Sequence, residues 1–481
     1  MPVNFPTGAE YLRILPEIIL TLAGVLIILL EGLWSDQRRT VFAPISIAAL
    51  AAALWAAMVS SSGPAFSGML LIGGFATFFR ALVIIVGLLA VLASSEYLTR
   101  ERASSAEYYA LILFSVVGQC VMVTANDLLM VFVGLEISSI ASYVLAGYLR
   151  DDPRNNESAL KYFLLGSFAT AFLLYGVAWI YGMTGSTNLA LIRQVLLSSG
   201  APSLGLTSVA AALIFIGLAF KISAAPFQVW APDVYQGAPA PVSAFLSAGP
   251  KAAAFAVLVI FMVNFGSTAE QLLPVLWACA LATMVIGNFA AIQQSNIKRM
   301  LAYSSIAHAG YVLVAVTANS EIGSAAVMFY MAAYALTNIG AFAVVTHVAS
   351  KGGRFVALSD FAGLSKRQPA MAAMLSIFLL SLIGVPLTGG FFGKFYIFKA
   401  ALDSHLVWLT VLGLLNSAVA AYYYLRVLVL MYFNEPGEGV EVLPAAGTGL
   451  QIAVYACAIG TLMLGIMPDW ILDFASKASL R

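Results

Sequence analysis

Five ionisable side chains lie inside long apolar stretches of this 481-residue sequence, and they are its clearest candidates for chemistry. Glu136 falls in DLLMVFVGLEISSIASYVLAGY, while Lys161, Lys221, Lys251 and Lys394 fall within or at the edge of other apolar stretches. A charged side chain at the centre of a bilayer costs about 2.5 to 3.5 kcal/mol on insertion scales. Five such groups need partners or water, so we interpret them as parts of an ion pathway.

Several of these residues also have a structural interpretation. Lys161 follows Arg154 and could extend its ammonium group toward the cytoplasmic surface. Lys251 follows Pro250 and could be an interfacial lysine at a helix end. Glu136 has no nearby loop to reach, which favours a functional role for its carboxylate.

The stretch that carries Lys221 is an apolar helix interrupted by prolines, FIGLAFKISAAPFQVWAPDVYQGAPAPV at residues 215–242. Three of the prolines, Pro226, Pro232 and Pro239, are the expected helix breaks. Proline cannot donate a backbone hydrogen bond and therefore frees a carbonyl upstream. A broken spanning helix persists only where it is buried in protein or lines a wet cavity. This stretch is therefore predicted to be the centre of an ion pathway rather than a lipid-facing anchor.

A second interrupted stretch, LSLIGVPLTGGFFGKFYIFKAA at residues 380–401, repeats this combination. Pro386, Gly389 and Gly390 interrupt the helix, and Lys394 follows. Two broken segments in corresponding positions point to an inverted repeat with its site at the repeat interface. The two breaks lie five spans apart, which predicts two five-helix units of opposite orientation.

The composition is that of a polytopic membrane protein. Hydrophobic residues make up 62% and charged residues 9%, whereas charged residues are roughly a quarter of soluble domains. A net charge of +1 gives no case for nucleic-acid binding. Each crossing needs about 20 apolar residues, and fourteen candidate spans are centred near Gly24, Leu50, Gly87, Val116, Ile137, Ala171, Leu218, Ala254, Ala282, Ala309, Tyr334, Leu379, Leu415 and Gly460.

These spans predict an all-α protein with four parts. Residues 1–107 would hold helices one to three, and residues 108–265 the first five-helix repeat. Residues 270–433 would hold the second, inverted repeat, and residues 445–481 the last helix.

The loops predict the orientation, because cytoplasmic loops accumulate Lys and Arg. Links after even-numbered spans offer only Arg193, with Arg80 near the outer end of span three. Links after odd-numbered spans contain Arg38, Arg39, Arg100, Arg102, Arg150, Arg154, Lys298, Arg299, Lys351, Arg354, Lys366 and Arg367. Both termini are therefore predicted on the non-cytoplasmic side, although Arg13, Lys477 and Arg481 count weakly against it.

A polar helix lies between the two broken segments, NIKRMLAYSSIAHAGYVLV at residues 296–314. Its hydroxyls and His308 recur at helical spacing and could support a chain of waters, since histidine titrates near neutrality. The alternative is a hydrogen-bonded core histidine. No metal site is predicted, because neither the histidines nor the cysteines have ligand spacing. The cysteines, Cys120, Cys279 and Cys457, are interpreted as small buried hydrophobes.

Four segments together resemble the antiporter-like subunits of respiratory complex I: FKISAAPFQVWAPDVYQGAPAPV, NIKRMLAYSSIAHAGY, LLMVFVGLEISSIASYVLAGY and GGFFGKFYIF. The resemblance covers roughly residues 127–433 and is strongest to the subunit N branch, because the sequence ends after span fourteen without a long lateral helix. It implies an all-helical bundle of two inverted five-helix units with flanking helices at both ends.

The resemblance also implies roles for individual residues. Glu136 would be the fifth-span glutamate that pairs with Lys221, Lys251 the connecting lysine, His308 a relay residue, Lys394 the lysine toward the exit side, and Lys161 a sixth-span lysine of the family. The implied partners are membrane subunits M and K as neighbours, with A and J also in the assembly. No cofactor is expected in this chain; FMN and iron–sulfur clusters would belong to other subunits of the complex, which uses quinone.

The implied function is proton translocation in a bacterial inner membrane, coupled to quinone reduction elsewhere in the assembly. The sequence has no glycine-rich nucleotide loop after a strand and no iron–sulfur cysteine set. The alternatives are a cation/proton antiporter subunit, a membrane subunit of a hydrogenase-type complex and a structural spacer. A cation site should gather several carboxylates, whereas only Glu136 lies deep in a span, and a spacer does not explain four intramembrane lysines.

Overall fold

The structure is a computed structural model that describes residues 5–33, 41–103, 105–198, 202–349, 351–353, 355–436 and 445–480. Some basic residues used to predict the orientation lie outside these ranges, namely Arg38, Arg39, Arg354 and Arg481. The side chain of Lys351 also lies outside the description.

Within these ranges the chain forms helices almost throughout. The α-helices are α1 (Gly8–Arg13), α2 (Leu15–Leu33), α3 (Phe42–Val59), α4 (Gly74–Glu101), α5 (Ala106–Thr124), α6 (Leu128–Ala146), α7 (Pro153–Thr184), α8 (Leu189–Leu197), α9 (Leu204–Ile222), α10 (Trp230–Gly237), α11 (Ala240–Asn264), α12 (Gly266–Glu270), α13 (Leu273–Ile292), α14 (Ile297–Thr317), α15 (Glu321–Val348), α16 (Leu364–Arg367), α17 (Pro369–Ile383), α18 (Gly389–Asp403), α19 (Val407–Phe433), α20 (Thr448–Ile466) and α21 (Asp469–Ala478). Two 3₁₀ turns cover Lys351–Gly353 and Leu358–Phe361.

The prediction of an all-helical membrane protein is confirmed. All fourteen predicted span centres lie in helices, and 13 helices of the described chain are long and apolar enough to cross a membrane. The twelfth span is divided between α17 and α18. A small antiparallel hairpin of β1 (Gly63–Ala65) and β2 (Leu70–Ile72) was not predicted. The inverted repeats and the domain boundaries stay predictions.

Polar residues at helix starts fix where several spans begin. Asp127 accepts a hydrogen bond from Leu129 N at 2.8 Å and caps α6. Asn296 accepts from Arg299 N at 3.1 Å and caps α14. Such side chains satisfy backbone donors that have no partner within the helix, so they set the register of the spans that carry the candidate residues.

The interior of the bundle is formed by α11, α14 and α15, which are the most buried spans. Around them, helices approach closely where one of them has a glycine, which has no side chain. A Cβ on Gly118 of α5 would lie 2.5 Å from Gly134 O of α6, so this contact requires glycine. Small residues allow such close backbone packing between membrane helices, and this contact holds α6 with its glutamate against the interior.

A buried ion pair joins two N-terminal spans. Arg80 of α4 is fully buried, and its Nη2 lies 2.5 Å from Glu17 Oε2 of α2. The same Nη2 donates to Arg13 O at 3.0 Å. A buried charge requires a partner of this kind because an unpaired one is strongly destabilising. We interpret this pair as structural.

Candidate functional site

The first helix break separates α9 from α10. Trp230 Nε1 donates to Phe220 O at 2.9 Å, and Ala225 N donates to Thr283 Oγ1 at 2.8 Å. Backbone groups freed by the break are therefore satisfied by the protein, as a spanning segment requires. Pro226 lies within the break.

The other two predicted break prolines occupy neighbouring helix starts. Pro232 lies in the first turn of α10, and Pro239 is the residue immediately before α11. Proline is tolerated at the start of a helix, where its missing N–H would have no helical partner. Together the three prolines confine the interruption to the residues between α9 and α11.

Lys221 lies at the last turn of α9 and is only 2% exposed. Its Nζ donates to Ser139 Oγ of α6 at 2.9 Å and to Tyr162 OH of α7 at 3.2 Å. The nitrogen also lies 5.4 Å from the centre of the Tyr162 ring. The ammonium group is thus held by hydroxyls and an aromatic face inside the bundle.

Glu136 lies one helical turn before Ser139 on α6, but it is half-buried rather than deep in the interior. Its carboxylate interacts electrostatically with Lys221, and no salt bridge within 4.0 Å joins the two among the described residues. The structure therefore brings the expected partners to the same region without direct contact. Ser139 lies between them in sequence and binds the lysine.

Lys251 lies in the middle of α11, because that helix begins at Ala240 and continues through Pro250. It is 2% exposed, and its Nζ contacts both the carbonyl and the hydroxyl of Ser305 on α14. The interpretation of Lys251 as an interfacial residue is wrong. Pro250 is instead accommodated inside this buried helix.

His308 lies on α14, one turn after Ser305, and is 4% exposed. Its Nδ1 lies 2.6 Å from Tyr330 OH and its Nε2 lies 3.1 Å from Tyr424 OH. The imidazole is within electrostatic range of both Lys251 and Lys394. It is therefore a hydrogen-bonded core histidine that also interacts electrostatically with two buried lysines.

Lys394 lies on α18, just after the second helix break, and is 6% exposed. Its Nζ donates to Leu382 O at 2.9 Å, to Ile383 O at 2.8 Å and to Ser417 Oγ at 2.8 Å. The two carbonyls belong to the last turn of α17. An ammonium group has three N–H donors, so this contact set uses all of them.

The predicted break residues of this segment divide between the break and the helix that follows. Pro386 lies in the break, whereas Gly389 and Gly390 are the first two residues of α18. A Cβ on Gly390 would lie 1.8 Å from Ser381 O, and Gly390 N donates to Ser381 Oγ at 3.2 Å. The glycine lets the two half-helices come into contact.

Lys161 does not belong to this set of buried residues. Its side chain is 40% exposed and forms ion pairs with Glu157 and Asp233, each at 2.6 Å. This position agrees with a lysine that reaches the surface, and a role for Lys161 in proton transfer stays a prediction.

Several residues of the site were not predicted. Tyr162, Tyr330 and Tyr424 each contact a candidate group and are almost fully buried. Tyrosine hydroxyls inside otherwise apolar spans are the sequence signal that could have found them, because a buried Tyr O–H needs a partner. The sequence counts Lys298 among the loop charges at the end of the polar helix, but it is 7% exposed and its Nζ donates to Gln236 O at 2.9 Å.

Within the described ranges no group of three or more His, Cys, Asp or Glu side chains could hold a metal ion. The groups gathered at this site are buried amines, an imidazole, hydroxyls and one half-buried carboxylate. Such groups can bind and pass protons.

Comparison with known proteins identifies the family. The model of the family described as NADH:quinone oxidoreductase/Mrp antiporter, TM, matches residues 125–420. NADH-quinone oxidoreductase subunit N 1 of Solibacter usitatus is 62% identical over 473 residues, which cover 98% of this chain and 97% of that protein.

Solved structures agree with this assignment. A chain of respiratory complex I from Thermus thermophilus is similar with a TM-score of 0.82 and 33% identity, covering 96% of this chain and 99% of that one. A chain of the archaeal membrane-bound sulfane sulfur reductase has a TM-score of 0.85 and 29% identity, covering 98% and 96%. The chain belongs to the subunit N family of NADH-quinone oxidoreductase, the proton-translocating, antiporter-like membrane subunits of respiratory complex I.

Proposed function

We propose that Glu136, Lys221, Lys251, His308 and Lys394 form the route by which this subunit moves protons. The observation that carries the proposal is the burial of three lysines that lack a carboxylate partner. Each is at most 6% exposed, and none has a carboxylate within 4.0 Å among the described residues. A buried charge without a counter-ion is costly, so these positions suit groups that exchange protons rather than permanent structural charges.

Contacts between the candidate residues support the order in which the proton would pass from one to the next. Tyr162 stacks on Trp230 with ring centres 4.4 Å apart, and Trp230 meets Tyr235 at 5.9 Å. Lys251 Nζ lies 5.7 Å from the Tyr235 ring. Lys221 at one end of this aromatic row and Lys251 at the other are thus connected by packed side chains. Water molecules would carry the proton between Lys221 and Lys251 where hydroxyl groups do not contact each other directly.

Beyond Lys251 the route continues along α14 and into the second broken helix. Ser305 binds Lys251, and His308 follows one turn later with electrostatic contact to Lys394. In this proposal Glu136 interacts with Lys221 and alters its proton affinity, and the proton then passes through Lys251 and His308 to Lys394. Lys161 remains a partly exposed group near the point where protons would enter this route.

The position of Glu136 supports contact with a neighbouring membrane subunit. The same face of α6 exposes the side chains Leu129, Val133, Ile137, Ile140 and Val144. A glutamate beside such an apolar face would be costly in lipid, so we propose that another subunit covers it. Subunits of the M and K types are the proposed neighbours, with A and J elsewhere in the membrane arm.

The rest of the assembly would supply the redox chemistry. We propose that FMN and iron–sulfur clusters lie in other subunits and that quinone reduction there drives this chain. The excess of Lys and Arg in links after odd-numbered spans supports a bacterial inner membrane with both termini on the periplasmic side.

The test uses the assembled complex in inverted membrane vesicles. Lys221→Met and Glu136→Gln should lower the number of protons moved per quinone reduced, because each removes a proposed charge-changing group. Lys399→Met is the matched control, since Lys399 lies on α18 with an exposed side chain. Normal pumping by fully assembled Lys221→Met and Glu136→Gln complexes would falsify the proposal.

A further inference from the structure

The half-helix α10 has only eight residues, Trp230–Gly237, yet it forms the second part of the first broken span. Isolated helices of fewer than about 12 residues are marginal in water. Its position therefore depends on contacts with neighbouring helices. These contacts divide into an ionic group near the surface and an aromatic group around Lys221.

The ionic group is centred on Asp233. Its Oδ2 accepts from Lys161 Nζ of α7 at 2.6 Å, and its Oδ1 accepts from Arg299 Nη1 of α14 at 2.6 Å. Asp233 thus joins α10 to one helix of each proposed five-helix unit. Lys298, next to Arg299, donates to the α10 carbonyl of Gln236 at 2.9 Å and also contacts Ala238 O.

The aromatic group begins one turn earlier on the same half-helix. Trp230 is 1% exposed, caps Phe220 O and stacks on Tyr162 at 4.4 Å. Tyr162 in turn accepts the hydrogen bond from Lys221. Lys161 and Tyr162 are adjacent on α7 and therefore link the ionic group to the aromatic group. Lys161 binds Asp233, and Tyr162 binds Lys221.

Exposure falls steeply between these two groups. The Asp233 side chain is 32% exposed, whereas Trp230, Tyr162 and Lys221 are at most 2% exposed. The aromatic stack therefore separates Lys221 from the side where Asp233 meets water. On the proposed orientation this is the cytoplasmic side.

We propose that Asp233 is a positioning residue that holds α10 closed over Lys221 and so controls the access of cytoplasmic water and protons to that lysine. The proposal rests on the proposed function of Lys221. The two ion pairs of Asp233 hold α10 against α7 and α14, and this keeps the Trp230 and Tyr162 rings stacked. Loss of the Asp233 charge would release α10 and open a wet path to the break.

The reporter for this opening is Ser223, which lies in the break, is fully buried and has a hydroxyl without a partner among the described residues. Ser223→Cys would place a thiol there. In inverted vesicles of the assembled complex, a charged, membrane-impermeant methanethiosulfonate is added and the labelled peptide is measured by mass spectrometry. With Asp233 present the thiol should stay unlabelled on the time scale of turnover.

Asp233→Asn in the Ser223→Cys background should raise the labelling rate by about three- to tenfold, the range expected when two partly exposed ion pairs no longer favour the closed state. Protons moved per quinone reduced should fall in the same variant. Asp233→Glu should restore both readouts, because it keeps a carboxylate that can reach the two cations. A purely structural role would lower assembly and activity together without opening the break.

Glu157→Gln is the matched control. Glu157 also pairs with Lys161, but its side chain is 63% exposed and it lies on α7 itself rather than on α10. Its loss should leave labelling unchanged. If Asp233→Asn and Glu157→Gln label at the same rate, or if labelling with Asp233→Asn equals that of the parent, the proposal is wrong.

Two further variants separate the remaining outcomes. If Asp233→Asn does not assemble, Arg299→Gln keeps the Lys161 pair and should still raise labelling; unchanged labelling there overturns the proposal. Lys221→Met tests the proposed function independently. Normal pumping by that variant would reject the proton path, while labelling at position 223 would still report whether Asp233 holds α10.

Discussion

The two broken helices differ in what terminates their first halves. At the first break a neutral indole, Trp230, caps the carbonyl of Phe220. At the second break the lysine itself performs this task, since Lys394 donates to the carbonyls of Leu382 and Ile383. The lysines also lie on opposite sides of their breaks, with Lys221 before the first and Lys394 after the second.

This difference determines how each site holds its lysine. Lys221 is bound by two hydroxyls, Ser139 and Tyr162, and a hydroxyl can accept from an ammonium group or donate to a neutral amine. The carbonyls that bind Lys394 can only accept. Loss of a proton from Lys394 would leave two N–H donors for these two carbonyls and a lone pair that can accept from the Ser417 hydroxyl. The first site holds its lysine by hydroxyls alone and suits proton exchange, whereas the second also ties the lysine side chain to the integrity of the break.

The largest expected contrast is in stability. Lys394→Met would leave two buried carbonyls without donors and should destabilise the chain by about 2 to 6 kcal/mol, at about 1 to 3 kcal/mol for each group. Lys221→Met leaves only hydroxyls that can turn to other acceptors, and should cost less than about 1.5 kcal/mol. Heat dissociation of the complex, followed on native gels, measures both, with Lys399→Met as control. Equal losses at the two lysines would contradict the comparison.

The next largest loss of stability is expected when the neutral cap of the first break, Trp230, is replaced. Trp230→Phe keeps an aromatic ring for stacking on Tyr162 but removes the donor to Phe220 O. Phe220 O keeps its hydrogen bond from Ser223 N at 3.0 Å, so the loss is that of one hydrogen bond, about 0.5 to 1.5 kcal/mol, and the midpoint temperature of dissociation should fall. Trp408→Phe is the control, because Trp408 is 74% exposed. Unchanged stability in Trp230→Phe would mean that the first break does not depend on this cap.

The sequence predicts the spans and both breaks because these depend on local features. Twenty consecutive apolar residues and a proline within them are visible without any tertiary information. The same locality explains the error at Lys251. The proline before Lys251 suggests a helix end, but α11 begins at Ala240 and continues through the proline inside a buried bundle.

The partners of the buried groups could not be predicted in this way. His308 meets Tyr424, which is 116 positions away in the sequence, and Lys221 meets Ser139, which is 82 positions away. These contacts depend on how α6, α9, α14 and α19 pack, and spacing along one helix carries no information about that packing. Lys298 illustrates the limit: it counts among the loop charges by sequence, yet its ammonium group binds the end of α10.

The smallest expected effect tests the exchange interpretation most directly. Ser139→Ala removes a hydroxyl that can follow both protonation states of Lys221, whereas Ser417→Ala removes one of three acceptors of Lys394 and leaves both carbonyls. One such hydrogen bond is worth about 0.5 to 1.5 kcal/mol. If it stabilises the state in which the proton moves, Ser139→Ala should slow proton pumping by roughly two- to tenfold.

Ser417→Ala should slow pumping less, because the carbonyls of Leu382 and Ile383 still position Lys394. The initial rate of acidification in inverted vesicles, divided by the rate of quinone reduction, compares the two variants in the same assembled complex. Each variant loses a single hydroxyl beside a buried lysine, so bulk and charge are matched. A larger loss of pumping in Ser417→Ala than in Ser139→Ala would show that proton exchange is controlled at the second break, and would reverse the roles assigned to the two lysines.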